Sequence, residues 1–233
     1  MCKRGWLRMV LRAGAFGLFG SILAFAGAIP IYNTGVDNFG TLLAYGASDG
    51  HYFLATSADP NFGTGPASVA FANTNFPPPP QWLPEDVYSI SQWVAPRGIA
   101  TQGDSSGTYD YVTTFDMTGL DPTTASLSGL WATDNLGSIF LNGVDTGQAT
   151  SSFRSFTSFF ITSGFTSGIN TLDFRVVNTP NNGFPNPTGL RVQISGSAGV
   201  LPTPEPGSLS LLLMGLPAAG WAVWKRRTAA RVR

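Results

Sequence analysis

Over residues 29–200 the apolar side chains recur at every second position, in short runs closed by Gly, Asn, Asp, Ser or Pro. That period builds half-buried strands and does not build amphipathic helices. In residues 109–116 (YDYVTTFD), Tyr109, Tyr111, Thr113 and Phe115 take one face, and Asp110, Val112, Thr114 and Asp116 the other. Residues 171–177 put Leu172, Phe174 and Val176 together. Residues 190–194 bury Leu190, Val192 and Ile194 and are expected to expose Arg191 and Gln193. Further strands are predicted over 51–56, 68–72, 125–133, 138–141 and 153–161. About eight short strands make the segment an all-β, antiparallel β-sandwich. Residues 77–80 (PPPP) can join neither strand nor helix and form a stiff loop.

Charge and reactive side chains remove whole classes of function. Charged residues are 11% of the chain, far below the roughly 25% of an ordinary soluble domain. Residues 29–200 carry four arginines and no lysine against twelve acids, a net of −8. A nucleic-acid reader needs a basic face, and that class is excluded. Cys2 and His51 are the only cysteine and histidine. Disulfides, thiolate metal sites and cysteine nucleophiles therefore fall away, and a zinc site lacks its ligands.

The basic residues gather at the two ends instead. Lys3, Arg4, Arg8 and Arg12 precede a short apolar run over 13–25, with Ala24, Ala26 and Ala28 after it. This is the pattern of a signal peptide over 1–28, cut after Ala26 or Ala28 by signal peptidase once the Sec translocon has engaged it. At the other end LPTPEP (201–206) leads into eighteen apolar residues, 207–224, and then KRRTAARVR (225–233). Eighteen residues at about 1.5 Å each span about 27 Å, enough for a transmembrane helix. Trp221 and Trp224 sit at its basic end, and Lys225, Arg226 and Arg227 hold that end in the cytoplasm. Both ends thus send residues 29–200 out of the cell.

Pro204, Glu205 and Pro206, the single apolar helix and the arginine-rich terminus together resemble the PEP-CTERM sorting signal of Gram-negative bacteria. The resemblance implies recognition of Pro204, Glu205 and Pro206 by a membrane-embedded exosortase. It also implies an inner-membrane-anchored precursor, passed on to the cell surface or the matrix of an exopolysaccharide-forming biofilm. Thr203 departs from the aliphatic residue common there.

Within the exported segment, Leu141-Asn142-Gly143 closes one strand with a hairpin turn, and Gly168-x-Asn170-x-Leu172 opens another. This order resembles the galactose-binding-like jelly roll of carbohydrate-binding modules. It implies a sugar-binding fold whose ligand residues lie on variable loops, so no binding residue carries over. Asn142 and Gly143 are read as turn residues.

No catalytic residue is assigned. His51 lacks triad partners, and the acid pairs Glu85/Asp86, Asp104/Asp110 and Asp116/Asp121 read as loop carboxylates. The domain is expected to be non-enzymatic and to touch exopolysaccharide. The alternative is a glycoside hydrolase-like enzyme whose carboxylates converge in three dimensions. An ice-binding face would want a regular threonine array that 113/114 and 123/124 do not provide. The aromatic candidates for sugar are Trp82, Tyr88 and Trp93 in a proline-rich stretch, but the favoured reading of the two indoles is a plug at the sandwich end. No cofactor and no metal ligand set is assigned, and a structural calcium stays open among the Asp and Asn side chains.

Overall fold

The computed structural model describes residues 26–69, 82–85, 89–99, 103–181 and 186–202. The leader up to residue 25, the 77–80 loop, Tyr88, the Pro204-Glu205-Pro206 motif, the apolar run 207–224 and Lys225, Arg226 and Arg227 lie outside these residues. No helix among the described residues is long and apolar enough to cross a membrane.

Among the described residues eleven strands follow in order: β1 (Ala26–Ala28), β2 (Ser48–Thr56), β3 (Gly65–Val69), β4 (Val94–Ala95), β5 (Gly107–Asp116), β6 (Leu120–Asp134), β7 (Leu136–Leu141), β8 (Val144–Thr150), β9 (Thr157–Ile161), β10 (Ile169–Asn178) and β11 (Gly189–Val200). Every pairing is antiparallel, in the order β8-β7-β10-β5-β2-β3-β4-β11-β6-β9, with β1 beside β11. The two-residue β4 joins β3 to β11, and the continuous ladder folds over there. Trp131 on β6 and Phe159 on β9 meet Phe174 on β10, with ring centroids at 5.8 and 6.3 Å. The two halves of the ladder therefore face each other as a sandwich around one core.

The alternation expected of the strands produces this core. Tyr109, Tyr111, Thr113 and Phe115 point in from β5, and Leu172, Phe174 and Val176 from β10. Between the layers, Gly137 leaves room for the Trp131 indole; a Cβ there would lie 2.7 Å from the ring. The Asn142-Gly143 turn has φ of 52° and 79°, the left-handed pair a two-residue hairpin requires.

Several boundaries differ from expectation. Residues 26–28, placed at the end of the leader, form β1 and pair with Ser197–Gly199. Of 153–161 only Thr157–Ile161 is strand, because Phe153 and Phe156 turn away to pack on a second, smaller cluster. The strand expected at 68–72 begins earlier, at Gly65. β8 (VDTGQAT) escapes the sequence because its apolar residues do not alternate. Arg191 corrects one expectation outright. It does point away from the main core, but it is only 2% exposed, because Leu83, Pro84, Ser89 and Ser91 lie over it.

Candidate functional site

Trp82 and Trp93 are not open platforms. They are 2% and 0% exposed and stack on each other with centroids 4.4 Å apart. Trp82 Nε1 donates to Asp134 Oδ2 at 2.7 Å, and Trp93 Nε1 to the Leu83 carbonyl at 3.0 Å. Both faces and both N–H groups are thus committed within the protein, and a sugar ring cannot stack on either indole in this conformation. The plug is pinned by Arg191, which donates to the Ser91 and Ser89 hydroxyls and to the Leu83 and Pro84 carbonyls. Residues 82–85 and 89–93 therefore form a strap on the outside of β6 and β11.

Of the acid pairs suggested by sequence proximity, Asp86 lies outside the described residues, and the fold joins neither Asp104 to Asp110 nor Asp116 to Asp121. Asp104 joins Asp59 around Arg97, at 2.9 and 2.8 Å, with the guanidinium over the Phe62 ring. Burial raises the Asp104 carboxyl. Burial pushes Asp59 the same way, but bonds from the Asn61 and Ser105 amides and the charge of Arg97 bring it below its ordinary value. Asp116 is exposed and Asp121 half-buried, each held low by the hydroxyl and amide of Thr118 and Thr123 respectively. Burial raises Glu85, which accepts from the Trp93 amide. His51 stacks on Tyr32 at 3.7 Å, and no nucleophile is bonded to its ring in the described geometry. Among the described residues no group of three or more His, Cys, Asp and Glu side chains is placed to hold a metal ion.

The fold does bring chemistry together on the outward face of β2, β5, β10 and β7. Residues opposite one another across antiparallel strands share a face. The register sets Phe53, Val112, Asp173, Phe140 and Asp145 in one row across five strands. The next row runs Thr56, Asp110, Arg175 and Ser138. Arg175 Nε donates to Asp110 Oδ1 at 2.8 Å, its NH2 lies 3.4 Å from Asp173 Oδ2, and its guanidinium lies 4.3 Å over the Phe140 ring. Asp173 Oδ1 is buried with no hydrogen-bond partner. Burial, then the neighbouring charge of Asp110, push the Asp173 carboxyl up to about 6, against the pull of Arg175. The bond to Asp110 holds the Arg175 guanidinium above its ordinary value. Phe53, at the head of its row, is 49% exposed.

Sequence reading named Asp110 but not Phe53, Phe140, Asp173 or Arg175. The available signal was their outward parity: Asp110, Asp173 and Arg175 all fall on the non-core positions of two strands already predicted. That β5 and β10 are neighbours was the missing piece.

No family model matches the sequence, and no curated protein matches it. Similar solved structures include a mutant of a carbohydrate binding module of family 29, at 10% identity and a TM-score of 0.37 over 75% of this chain and 94% of that one. A second family 29 mutant module, complexed with mannohexaose, gives 11% and 0.36 over 76% and 94%. The CBM36-1 domain of a multidomain xylanase from the hindgut metagenome of Trinervitermes trinervoides gives 12% and 0.27 over 41% and 75%. With overlaps this loose, the sandwich rests on its own register and core.

Proposed function

We propose that this chain is an exported protein whose β-sandwich, of jelly-roll type, binds polysaccharide without catalysing a reaction. One observation carries the reading: the outward face of β2, β5, β10 and β7 holds the half-exposed Phe53 ring one strand from Asp110 and two from Arg175 and Asp173. A sugar offers an apolar C–H face to an aromatic ring and a rim of hydroxyls to charged hydrogen-bonding groups. An open sheet face with both kinds of group suits that ligand. In this reading the two ends supply the address. The leader takes the chain through the Sec translocon, residues 207–224 anchor it in the inner membrane, and an exosortase acts at Pro204, Glu205 and Pro206.

Affinity electrophoresis of the detergent-solubilised full chain through gels containing polysaccharide tests the binding half. Retardation that Phe53→Ala abolishes at unchanged melting temperature is the expected result; no retardation on any polysaccharide rejects it. Release of sugar fragments, lost in Asp173→Asn, would give the enzymatic reading instead. Mass spectrometry of the native protein tests the sorting half: a C-terminus near residue 206 is expected, and an intact Arg233 refutes it.

A further inference from the structure

We infer that the outer edge of β9 is a docking surface for a second copy of this chain, the two β9 strands pairing antiparallel about a twofold axis at Phe160. The inference stands apart from the polysaccharide reading and uses none of its residues.

β9 closes one end of the ladder, and among the described residues β6 is its only strand partner. β8 meets it where the Thr150 and Thr157 hydroxyls bond at 2.7 Å. Beyond that point the two strands part around a cleft of about 220 Å³ lined by Val144, Thr146, Phe160 and Ile161 among others. An unpaired edge is a template for another strand, and folded chains blunt it with charge, proline or a bulge. The other end of the ladder is blunted in this way. β8 carries Asp145, a left-handed Gly147 with φ of 73°, and a register shift against β7. β9 carries none of these, and its pairing with β6 runs without a shift. From Ser155 to Leu172 the chain has no charged residue and no proline, and Phe160 stands 61% exposed.

Charge and symmetry select the occupant. Residues 29–200 carry a net of −8, so two copies repel each other over most approaches. The outward positions next to the edge, Ser128 and Leu130 on β6 and Gln193 and Ser195 on β11, are uncharged. This is a side on which a like-charged copy approaches with little repulsion, whereas a strongly basic or acidic partner finds no opposite charge there to recognise. β9 is also complementary to itself. An axis at Phe160 sets that ring against its counterpart, a favourable cross-strand aromatic pair, and each Ser158 against Thr162 of the other copy. One such edge per copy makes the contact isologous, so the pair closes and does not grow into a fibre. A single five-residue strand from each copy is small for a permanent interface, and the dimer therefore depends on concentration.

Disulfide trapping in the detergent-solubilised full chain reads the pairing position by position. In a Cys2→Ser background, Phe160→Cys brings two thiols together across the axis, with Cα atoms about 4.5–5.5 Å apart, within disulfide range. Pairing raises the local thiol concentration, so this variant should form a linked dimer at least about tenfold faster than Ser158→Cys, Thr162→Cys or the fully exposed Phe39→Cys alone. A mixture of Ser158→Cys and Thr162→Cys chains should link about as fast as Phe160→Cys. In sedimentation the native chain should associate as its concentration rises. Phe160→Lys, which sets two ammonium groups face to face, should abolish that association at unchanged Tm, and an equal mixture with Phe160→Glu should restore it. Linking of Phe160→Cys no faster than Phe39→Cys overturns the docking surface, because chance encounters within micelles then account for it. Faster self-linking of Ser158→Cys or Thr162→Cys overturns the axis at Phe160. Association that survives Phe160→Lys puts the contact elsewhere and overturns the proposal as well.

Discussion

Asn142 Nδ2 donates to Asn170 Oδ1 at 2.8 Å, joining the β7–β8 turn to the loop that opens β10. Asn170 is fully buried, and its side chain also accepts from the Thr166 amide and donates to the Thr166 and Gly168 carbonyls. Asn142 Oδ1 in turn accepts from the Thr171 amide. The two sequence pieces that resemble a jelly roll are thus the two halves of one hydrogen-bonded lock.

Asn170→Ala removes the acceptor of the Thr166 amide and a donor to the Thr166 carbonyl, while the Gly168 carbonyl keeps the Met117 amide. With those partners only partly buried, the lost bonds cost about 1–2 kcal/mol, or a fall of roughly 2–8 °C in Tm for a domain of this size. Asn142→Gly keeps the left-handed turn and loses only side-chain bonds, about 1 kcal/mol. Because the residues touch, the double variant should lose less than the sum of the singles, by about 1 kcal/mol. Thermal melts of the four proteins measure this; strict additivity would contradict the lock.

The strap over Arg191 gives a second prediction. Arg191 serves two hydroxyls and two carbonyls through a planar fork that an ammonium cannot reproduce. Arg191→Lys should therefore cost about 2 kcal/mol even though the charge is kept. It should also loosen residues 82–85 and 89–93, so that Trp82 and Trp93 emit further to the red and a protease cuts there first. Unchanged fluorescence would mean that the stacked indoles hold the strap without the arginine.

Arg191 also marks how far the sequence could be read. Its parity was legible, since alternation placed it opposite Leu190 and Val192, and it does face away from the core. Its burial was not, because the strap that covers it lies about a hundred residues earlier in the chain, as the Ser91 bond records. The same holds for Arg175 and Asp110, paired across 65 residues. Strands with strict alternation announce themselves locally. β8 and the two- and three-residue strands β4 and β1 are fixed by the neighbours they pair with, and they left no local trace.

Asp134 predicts a stability that rises with acid. Burial, opposed by the bond from Trp82 Nε1 and reinforced by the charge of Asp104, pushes its carboxyl from 3.8 up to about 6. Between those two values the folded chain holds a proton that the unfolded chain has released. The folded state is therefore favoured as pH falls through 6 and gains nothing more below about 4. The gain is on the order of 2–3 kcal/mol for this group, and Asp173, also near 6, adds in the same window. Tm should be higher at pH 5 than at pH 7.5, and Asp134→Asn should flatten part of that rise while keeping an acceptor for Trp82. A Tm that falls steadily over this range would show that Trp82 stabilises the ion more than burial opposes it.

If the leader is removed as the proposed export requires, the position of the cut decides whether β1 persists. Ala26, Gly27 and Ala28 pair with Gly199, Ala198 and Ser197, while the Ile29 amide bonds to the Gly196 carbonyl. A cut after Ala26 leaves Gly27 and Ala28 to cover that edge of β11; a cut after Ala28 removes the strand and keeps only the Ile29 contact. Two residues of backbone pairing are worth about 1–2 kcal/mol at roughly 1 kcal/mol for each hydrogen bond. A chain beginning at Gly27 should then melt roughly 2–6 °C above one beginning at Ile29. N-terminal sequencing of the native protein reports which of the two, if either, is made. Equal melting of the two would mean that the β1 pairing contributes nothing, and that β11 is held by β6 and β4 alone.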